Sequence, residues 1–248
     1  YMNEDLFSLD IKRFQKFHSS KKFIMERVTE TLGDLYGMHW PYKQHKTSRN
    51  QRLLPYHEEL KKVGACFGVS GEYERPMWYA LNDKKPEYEY SFEYQNWYSA
   101  VEFETKNTIT NVGLYELTPF SKYEIKGELA HSELQKLCTA NIKNEVGKST
   151  YTQMLNEAGG IETDLTVICI NKDHYRIISS AAVRIHDKGH ILKYLSNKVK
   201  FKDVTDDFIC LGVFGPKSRK LLSSISNDDF SNDNFKFGTG KNIKMNLK

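Results

Sequence analysis

The stretch "YTQMLNEAGGIETDLTV", residues 151–167, decides how the centre of this chain folds. Apolar and polar residues alternate on both sides of a glycine pair, which predicts two strands joined by a tight turn. Gly159 and Gly160 are able to take the positive φ that such a turn needs. The sequence therefore predicts a β-hairpin with its tip at the glycine pair.

An acid and an aromatic side chain are expected on one side of this hairpin. The alternation directs Leu165 and Val167 to one face of the second strand and Asp164 to the other. Tyr151, on the partner strand, lies in the same region. Two roles for Asp164 are open from these residues alone. It caps the turn by accepting backbone N–H bonds, or it binds the N–H groups of a flat heterocycle, or handles a proton there, while the aromatic ring packs on that heterocycle.

Outside the hairpin, helical and strand patterns alternate without a regular order. Strands are predicted at "KYEIKG" (122–127), "HYRIIS" (174–179) and "FICLGVFG" (208–215), the last of them buried. Helices are predicted at 19–37, "YHEELKKVGA" (56–65), "SELQKLCTA" (132–140), 180–195 and "PKSRKLLSSI" (216–225). In the first helix, Ser20 is the expected cap and Gly37 the expected left-handed stop. Because no strict βαβ repeat is present, the predicted fold class is α+β.

Residues 66–103 are rich in aromatic side chains, and Gly71 and Pro76 interrupt them. This composition predicts a β-rich layer, since aromatic residues favour half-buried pleated surfaces. The aromatics either pack on one another within that layer or form a wall against a flat ligand.

The composition argues against several classes of protein. The 248 residues carry a net charge of only +4, from 36 basic and 32 acidic side chains, which does not favour a nucleic-acid partner. No apolar run approaches the roughly 20 residues that span a membrane, so no membrane partner is expected. Four cysteines lie far apart without a CxxC pair, which favours reduced, buried thiols over disulfides or a zinc site.

Familiar cofactor and metal motifs are also missing from the sequence. No GxGxxG follows a predicted strand, so the chain itself is not expected to bind a flavin. His186 and His190 have a helical metal spacing, but no catalytic acid stands between them, and they are interpreted as surface histidines. The first residue is Tyr1 rather than Met, without a targeting signal, which predicts a piece of a longer protein.

Several segments together resemble one known family. The hairpin resembles the folate-binding domain of the glycine-cleavage aminomethyltransferase (T-protein) family, as do "VGLYELTPFSKYEIKG" (112–127), "LQKLCTANI" (134–142) and "LGVFGPKSRKLL" (211–222). Upstream, "GEYERPMWYA" (71–80) and "QNWYSAVEFE" (95–104) are similar to the segment that joins a flavin domain to a folate domain in dimethylglycine and sarcosine dehydrogenases. "DLFSLDIKRF" (5–14) resembles the end of that flavin domain.

The resemblance implies a domain division and a two-site chemistry. Residues 1–49 would be the tail of an FAD-dependent oxidoreductase domain, 50–105 a β-rich central linker domain, and 106–248 the first part of a folate-binding domain. In such proteins a flavin domain oxidises an N-methyl amine to an iminium. The folate domain then captures the one-carbon unit on tetrahydrofolate, giving 5,10-methylenetetrahydrofolate. FAD would belong to the full-length protein and would not be bound by this portion.

The resemblance also implies site residues. Tyr151 matches a folate-contacting tyrosine, and Asp164 matches an acid beside the folate and is the candidate catalytic residue. Thr163 is the third candidate cofactor-binding residue, and no metal ligand is expected. Many aminomethyltransferases have two acids in a row here, whereas this chain has Thr163 followed by the single acid Asp164. Relatives among the dehydrogenases keep that single acid, which favours their branch.

Two alternatives come with the resemblance. One is a non-catalytic relative like the regulatory subunit of pyruvate dehydrogenase phosphatase, and the other is a stand-alone aminomethyltransferase. The expected partners are a folate and an N-methyl amine substrate. The expected location is the cytoplasm in a bacterium or the mitochondrial matrix in a eukaryote.

Overall fold

A computed structural model describes residues 11, 14–82 and 84–246. Most of the segment 5–14, which resembles the end of a flavin domain, lies outside the described residues. Strands and helices are mixed along the chain, as the predicted α+β class requires. In chain order the elements are α1 (Lys21–Asp34), α2 (His57–Lys62), β1 (Ala65–Ser70), β2 (Tyr73–Tyr79), α3 (Tyr98–Thr110), β3 (Gly113–Glu116), β4 (Ser121–Lys126), α4 (Ala130–Leu137), β5 (Ser149–Leu155), β6 (Ile161–Asn171), β7 (His174–Ser179), α5 (Arg184–Tyr194), β8 (Lys200–Asp203), β9 (Leu211–Phe214) and α6 (Ser218–Ile225).

The described residues fall into two compact units. One unit contains Phe14–Glu116 together with Leu211–Lys217. The other is built from residues 117–210 and 218–246 and is called the sheet unit below. Each unit has its own buried cluster of apolar side chains.

The sheet unit is organised around one five-stranded antiparallel sheet with the order β5-β6-β7-β4-β8. Alternate side chains of the strands point into a dry core, in which Met154, Val167 and Ile177 are 0 to 1% exposed. Leu134 of α4 and Ile191 of α5, both fully buried, belong to the same cluster. The face that carries these residues is called the core face, and the opposite one the outer face.

The predicted hairpin is β5–β6, and its faces follow the alternation. Leu165 is 2% exposed on the core face, whereas Asp164 is exposed on the outer face. Gly159 has a φ of +83°, the left-handed conformation expected at the turn. The side chain of Asn156 closes that turn, because its Oδ1 accepts backbone N–H bonds from Ala158 at 3.0 Å and Gly160 at 2.9 Å.

In the other unit, the aromatic-rich layer is only partly β-structure. Strands β1 and β2 pair as an antiparallel hairpin, and Trp78 on β2 is 2% exposed. Trp78 packs in one cluster with Cys66 and with Ala100 of α3. The last part of the segment, from Tyr98 onward, is helical, and its small residue Ala100 packs in the cluster with Cys66 and Trp78 of the hairpin. The aromatics divide accordingly, with Trp78 packed inside and Phe92 63% exposed.

Two predictions were wrong, one about where a helix ends and one about the burial of a strand. Helix α1 starts as predicted, with Ser20 Oγ accepting from the Phe23 N–H at 3.2 Å, but it ends at Asp34, and Gly37 has no positive φ. Strand β9 was predicted to be buried, yet Leu211 is 47% and Phe214 is 51% exposed. Its pairing explains this, since β9 pairs only with β3 in a two-stranded sheet.

Candidate functional site

The structure brings Tyr151 and Asp164 together on the outer face of the sheet. The Tyr151 hydroxyl donates a hydrogen bond to Asp164 Oδ2 at 2.9 Å. The two residues are diagonal neighbours across β5 and β6, because Gln153 lies opposite Asp164 and Thr166 lies opposite Tyr151. Tyr151 is 63% exposed and Asp164 is exposed as well, so the pair lies open on the sheet.

The pair has acceptor capacity left over. The hydrogen bond to Asp164 raises the pKa of the Tyr151 phenol, which therefore stays protonated and acts as the donor. A carboxylate offers about four lone-pair positions, and this bond uses one of them. The exposed Asp164 carboxylate is thus available to accept N–H bonds from a ligand, beside an exposed aromatic ring.

The alternative role of Asp164, as the cap of the hairpin turn, belongs to a different residue. Asn156 accepts the backbone N–H bonds of the turn, as described above. Asp164 lies inside strand β6, where it pairs with Gln153, and its side chain accepts from Tyr151 instead. The geometry therefore favours the ligand-binding interpretation of the acid over the capping one.

Thr163 is not brought together with the other two predicted site residues. Its side chain points to the core face, where it is 6% exposed. Its Oγ1 donates to Asp187 Oδ2 at 3.1 Å. This placement gives no support to the prediction that Thr163 contacts a cofactor directly, because the strand separates its side chain from the Tyr151–Asp164 pair.

The structure adds a polar cluster beneath the hairpin that the sequence analysis missed. Asp187 of α5 is fully buried, and burial raises the pKa of its carboxyl group. His186 lies between two acids, with Nδ1 at 3.2 Å from Asp187 Oδ1 and Nε2 at 2.8 Å from Glu162 Oε2. His186 is therefore partly buried and paired, and its interpretation as a surface histidine was wrong. No spacing in the sequence signals contacts that join β6 to a helix more than twenty residues away.

A second carboxylate on the outer face has a very different environment. Glu124 of β4 is 6% exposed and contacts Arg176 at 2.6 Å, Lys126 at 2.7 Å and His174 at 3.2 Å. The Phe208 ring covers the Arg176 guanidinium at 4.1 Å. Burial opposes ionisation of Glu124, but the hydrogen bonds from Arg176 and Lys126 outweigh it and lower its pKa to about 2.

The described residues contain neither a metal-binding cluster nor a membrane-spanning helix. Within these residues, no group of three or more His, Cys, Asp and Glu side chains is arranged to hold a metal ion. No helix in the same part of the chain is long and apolar enough to cross a membrane.

Residues 56–247 match the family described as the GCVT N-terminal domain. This chain belongs to the GCVT N-terminal domain family. Residues 1–53 match a second description, the FAD dependent oxidoreductase central domain. The GCVT N-terminal domain match begins at residue 56, so it includes most of the segment that the sequence analysis assigned to a central linker.

Several similar proteins match nearly the whole length of this chain. It is 34% identical to "4-methylaminobutanoate oxidase (formaldehyde-forming)" of Paenarthrobacter nicotinovorans, over 97% of the chain and 29% of that protein. It is 28% identical to human mitochondrial dimethylglycine dehydrogenase, over 97% of the chain and 28% of the enzyme. It is 29% identical to the mouse mitochondrial pyruvate dehydrogenase phosphatase regulatory subunit, over 95% of the chain and 28% of that subunit. The chain thus spans less than a third of each relative, and the resemblance to the dimethylglycine and sarcosine dehydrogenases is confirmed.

A solved structure supports the fold of the GCVT N-terminal domain. The glycine cleavage system aminomethyltransferase T from Bartonella henselae matches with a TM-score of 0.58 and 20% identity, over 70% of this chain and 43% of that protein. The predicted α+β fold of the aminomethyltransferase type is therefore confirmed.

Proposed function

We propose that this chain is the tetrahydrofolate-binding portion of an FAD-dependent N-methyl amine oxidoreductase and that it receives the one-carbon unit removed from the amine. The observation that carries the proposal is the exposed Tyr151–Asp164 pair, bonded at 2.9 Å with acceptor positions to spare. The division into a flavin-domain tail (1–49), a central linker (50–105) and a folate-binding domain (106–248) is part of the proposal.

The pair fits the chemistry of a reduced folate. The pterin ring is flat and carries several N–H donors, and bound tetrahydrofolate supplies the nitrogens that take up the one-carbon unit. Asp164 accepts ring N–H bonds and takes up a proton released during transfer. Tyr151 orients the carboxylate through its hydroxyl and offers its exposed ring as a packing surface.

The remaining parts of the proposal concern the complete protein. FAD is held by the complete protein and not by this chain, which has no dinucleotide-binding motif. The amine substrate is an N-methylated amine of the kind named in the oxidoreductase relatives. The location is the cytoplasm in a bacterium or the mitochondrial matrix in a eukaryote, in keeping with a bacterial relative and with others named as mitochondrial.

The fate of the one-carbon unit tests this function. The complete protein is supplied with tetrahydrofolate and with sarcosine, dimethylglycine or 4-methylaminobutanoate in turn. We expect the parent to convert one of these amines and to yield 5,10-methylenetetrahydrofolate. Asp164→Ala is expected to consume the amine at an unchanged rate and to release free formaldehyde instead.

Glu157→Ala is the matched control. Glu157 is another exposed acid of the same hairpin, and it accepts a hydrogen bond from Tyr194 at 2.7 Å. It lies in the turn, beyond the end of the strand that carries Tyr151. We expect it to behave like the parent. Equal yields of 5,10-methylenetetrahydrofolate from Asp164→Ala and the parent would contradict the role given to the acid.

One relative keeps a regulatory function open as the second candidate. The chain is 29% identical to a protein named as a phosphatase regulatory subunit. A complete protein that binds no flavin and oxidises none of the three amines, yet still binds a folate, would favour that candidate over the oxidoreductase.

A further inference from the structure

Among the described residues, the end of strand β6 that carries Asp164 has a paired strand on one side only. Pairing between β6 and β7 begins at Leu165, which lies opposite Ser179. Residues 161–164 therefore pair only with β5, and even that pairing shifts register between Met154 and Leu155. A strand segment with a ladder on one side is less constrained than one with two neighbours, so a ligand-binding side chain there gains from another support.

Helix α5 supplies that support from the core side. Asp187 Oδ2 accepts from Thr163 Oγ1 at 3.1 Å, directly behind Asp164. One residue earlier on each element, His186 Nε2 lies 2.8 Å from Glu162 Oε2. Two successive residues of the helix thus hold two successive residues of the strand segment.

The support continues into the turn of the hairpin. Glu162 Oε1 accepts from Asn156 Nδ2 at 2.9 Å, and Asn156 closes the turn through its own side-chain oxygen. A hydrogen-bonded path therefore runs from the turn through Glu162 and His186 to Asp187, and ends at Thr163. It holds the middle of the strand segment, at Glu162 and Thr163.

A buried carboxylate at this place is costly for the fold. Asp187 is 0% exposed, and moving a carboxylate out of water is unfavourable unless it is paired and hydrogen-bonded. An apolar residue of similar size is often at least as stabilising at a buried position. The Asp187 carboxylate interacts with Ser179, His186 and Thr163, and it thus links the end of β7 to the strand segment that β7 does not pair with, which explains it better than stability does.

We propose that His186 and Asp187 are positioning residues. They support the part of β6 that β7 does not reach, and they hold Asp164 within reach of Tyr151. Both residues act through Glu162 and Thr163, the two residues that precede Asp164 in the strand. The consequence for folate binding rests on the proposed function, whereas the consequence for the Tyr151–Asp164 bond does not.

Thr163→Val is the mildest test, because it keeps the shape of the side chain and removes the hydroxyl that reaches Asp187. In the complete protein we expect the dissociation constant of 5-formyltetrahydrofolate to rise roughly five- to ten-fold, since the carboxylate loses its fixed position. Thr163→Ser restores the hydroxyl and should restore the affinity to within about two-fold of the parent.

Thr205→Val is the matched control. Thr205 is another fully buried threonine of the sheet unit, and its Oγ1 donates to Asp203 Oδ1 at 2.8 Å. Its removal also takes a hydroxyl away from a carboxylate, but at the β8 edge of the sheet. We expect at least as large a loss of thermal stability in Thr205→Val, because Thr205 Oγ1 also accepts the Lys122 backbone N–H at 3.0 Å, and a loss of folate affinity only in Thr163→Val.

A second readout needs no folate. The hydrogen bond to Asp164 raises the pKa of Tyr151, so a fluorotyrosine placed at position 151 reports that bond by fluorine NMR during a pH titration. In Thr163→Val the phenol should ionise at a lower pH than in the parent, while in Thr205→Val it should ionise at the same pH.

The two readouts separate the two proposals. If Thr163→Val and Thr205→Val give the same tyrosine titration, the positioning role of Asp187 is wrong, whatever happens to folate. If the titration shifts only in Thr163→Val but Asp164→Ala binds 5-formyltetrahydrofolate as well as the parent, the positioning role stands and the folate site is wrong.

Discussion

Asp164 and Glu124 are two carboxylates on the same face of one sheet, and they have opposite environments. Glu124 is 6% exposed and is surrounded by Arg176, Lys126 and His174. Asp164 is exposed, and its carboxylate accepts a hydrogen bond from the neutral phenol of Tyr151. The Glu124 carboxylate is contacted by three basic side chains, whereas the Asp164 carboxylate keeps acceptor positions that a ligand could use.

We interpret this difference as one of role, with Glu124 stabilising the fold and Asp164 binding a ligand. A buried carboxylate with three basic neighbours contributes to folding, and removing it leaves Arg176 and Lys126 without their acidic partner. An exposed carboxylate beside an exposed ring contributes little to folding and is available to bind a ligand. The following experiments test this distinction.

The largest effect is expected from Glu124→Gln. Its pKa of about 2 lies well below the ordinary glutamate value of about 4.3, which corresponds to about 3 kcal/mol of stability at neutral pH. We expect the free energy of unfolding to fall by about that amount in chemical denaturation. Glu157→Gln, at an exposed ion pair, serves as the control and should leave the denaturation midpoint unchanged. Equal midpoints for the two variants would show that the Glu124 cluster does not stabilise the sheet.

The same carboxylate predicts how stability depends on acid. Because the pKa of Glu124 is lowered in the folded state, its contribution is present above the unfolded value of about 4.3 and is lost as the pH falls towards about 2. The stability difference between the parent and Glu124→Gln should therefore shrink steadily over that interval. Denaturation curves recorded at several pH values between these limits measure it, and a constant difference would argue against the assigned pKa.

The sequence predicted those parts of the site that depend on local patterns. Strand alternation placed Leu165 inward and Asp164 outward, and the glycine pair predicted the turn at Gly159. Local patterns carry this information because the side-chain period of a strand is two. That Tyr151 approaches Asp164 was predicted from the alternation and the family resemblance together, whereas their hydrogen bond was not predicted.

The sequence did not predict contacts between distant elements. The tether from Thr163 to Asp187 joins a strand to a helix, and the ion pair of Glu124 with Arg176 joins two strands that are 52 residues apart. Such pairs depend on the order of strands in the sheet, which no local pattern encodes. Helix α3 was missed for a related reason, since its aromatic neighbours favoured a strand assignment over residues 66–103.

The smallest effect is expected from Tyr151→Phe. The ring that we propose packs against the folate is kept, and only the hydroxyl that donates to Asp164 is lost. The affinity of the complete protein for 5-formyltetrahydrofolate should fall by roughly two- to five-fold. Tyr151→Ala also removes the ring and should weaken binding further. Equal affinities for these two variants would mean that the ring does not contact the folate.

The most direct test of the distinction is calorimetric titration of 5-formyltetrahydrofolate into the complete protein carrying Asp164→Ala, with Glu124→Gln measured in parallel. We expect Asp164→Ala to bind roughly ten- to a hundred-fold more weakly, because donors of the ligand lose their acceptor, while its denaturation midpoint is unchanged. Glu124→Gln should show the reverse, with lower stability and an affinity close to that of the parent. An unchanged affinity in Asp164→Ala would contradict the account and leave the outer face of this sheet without a folate site.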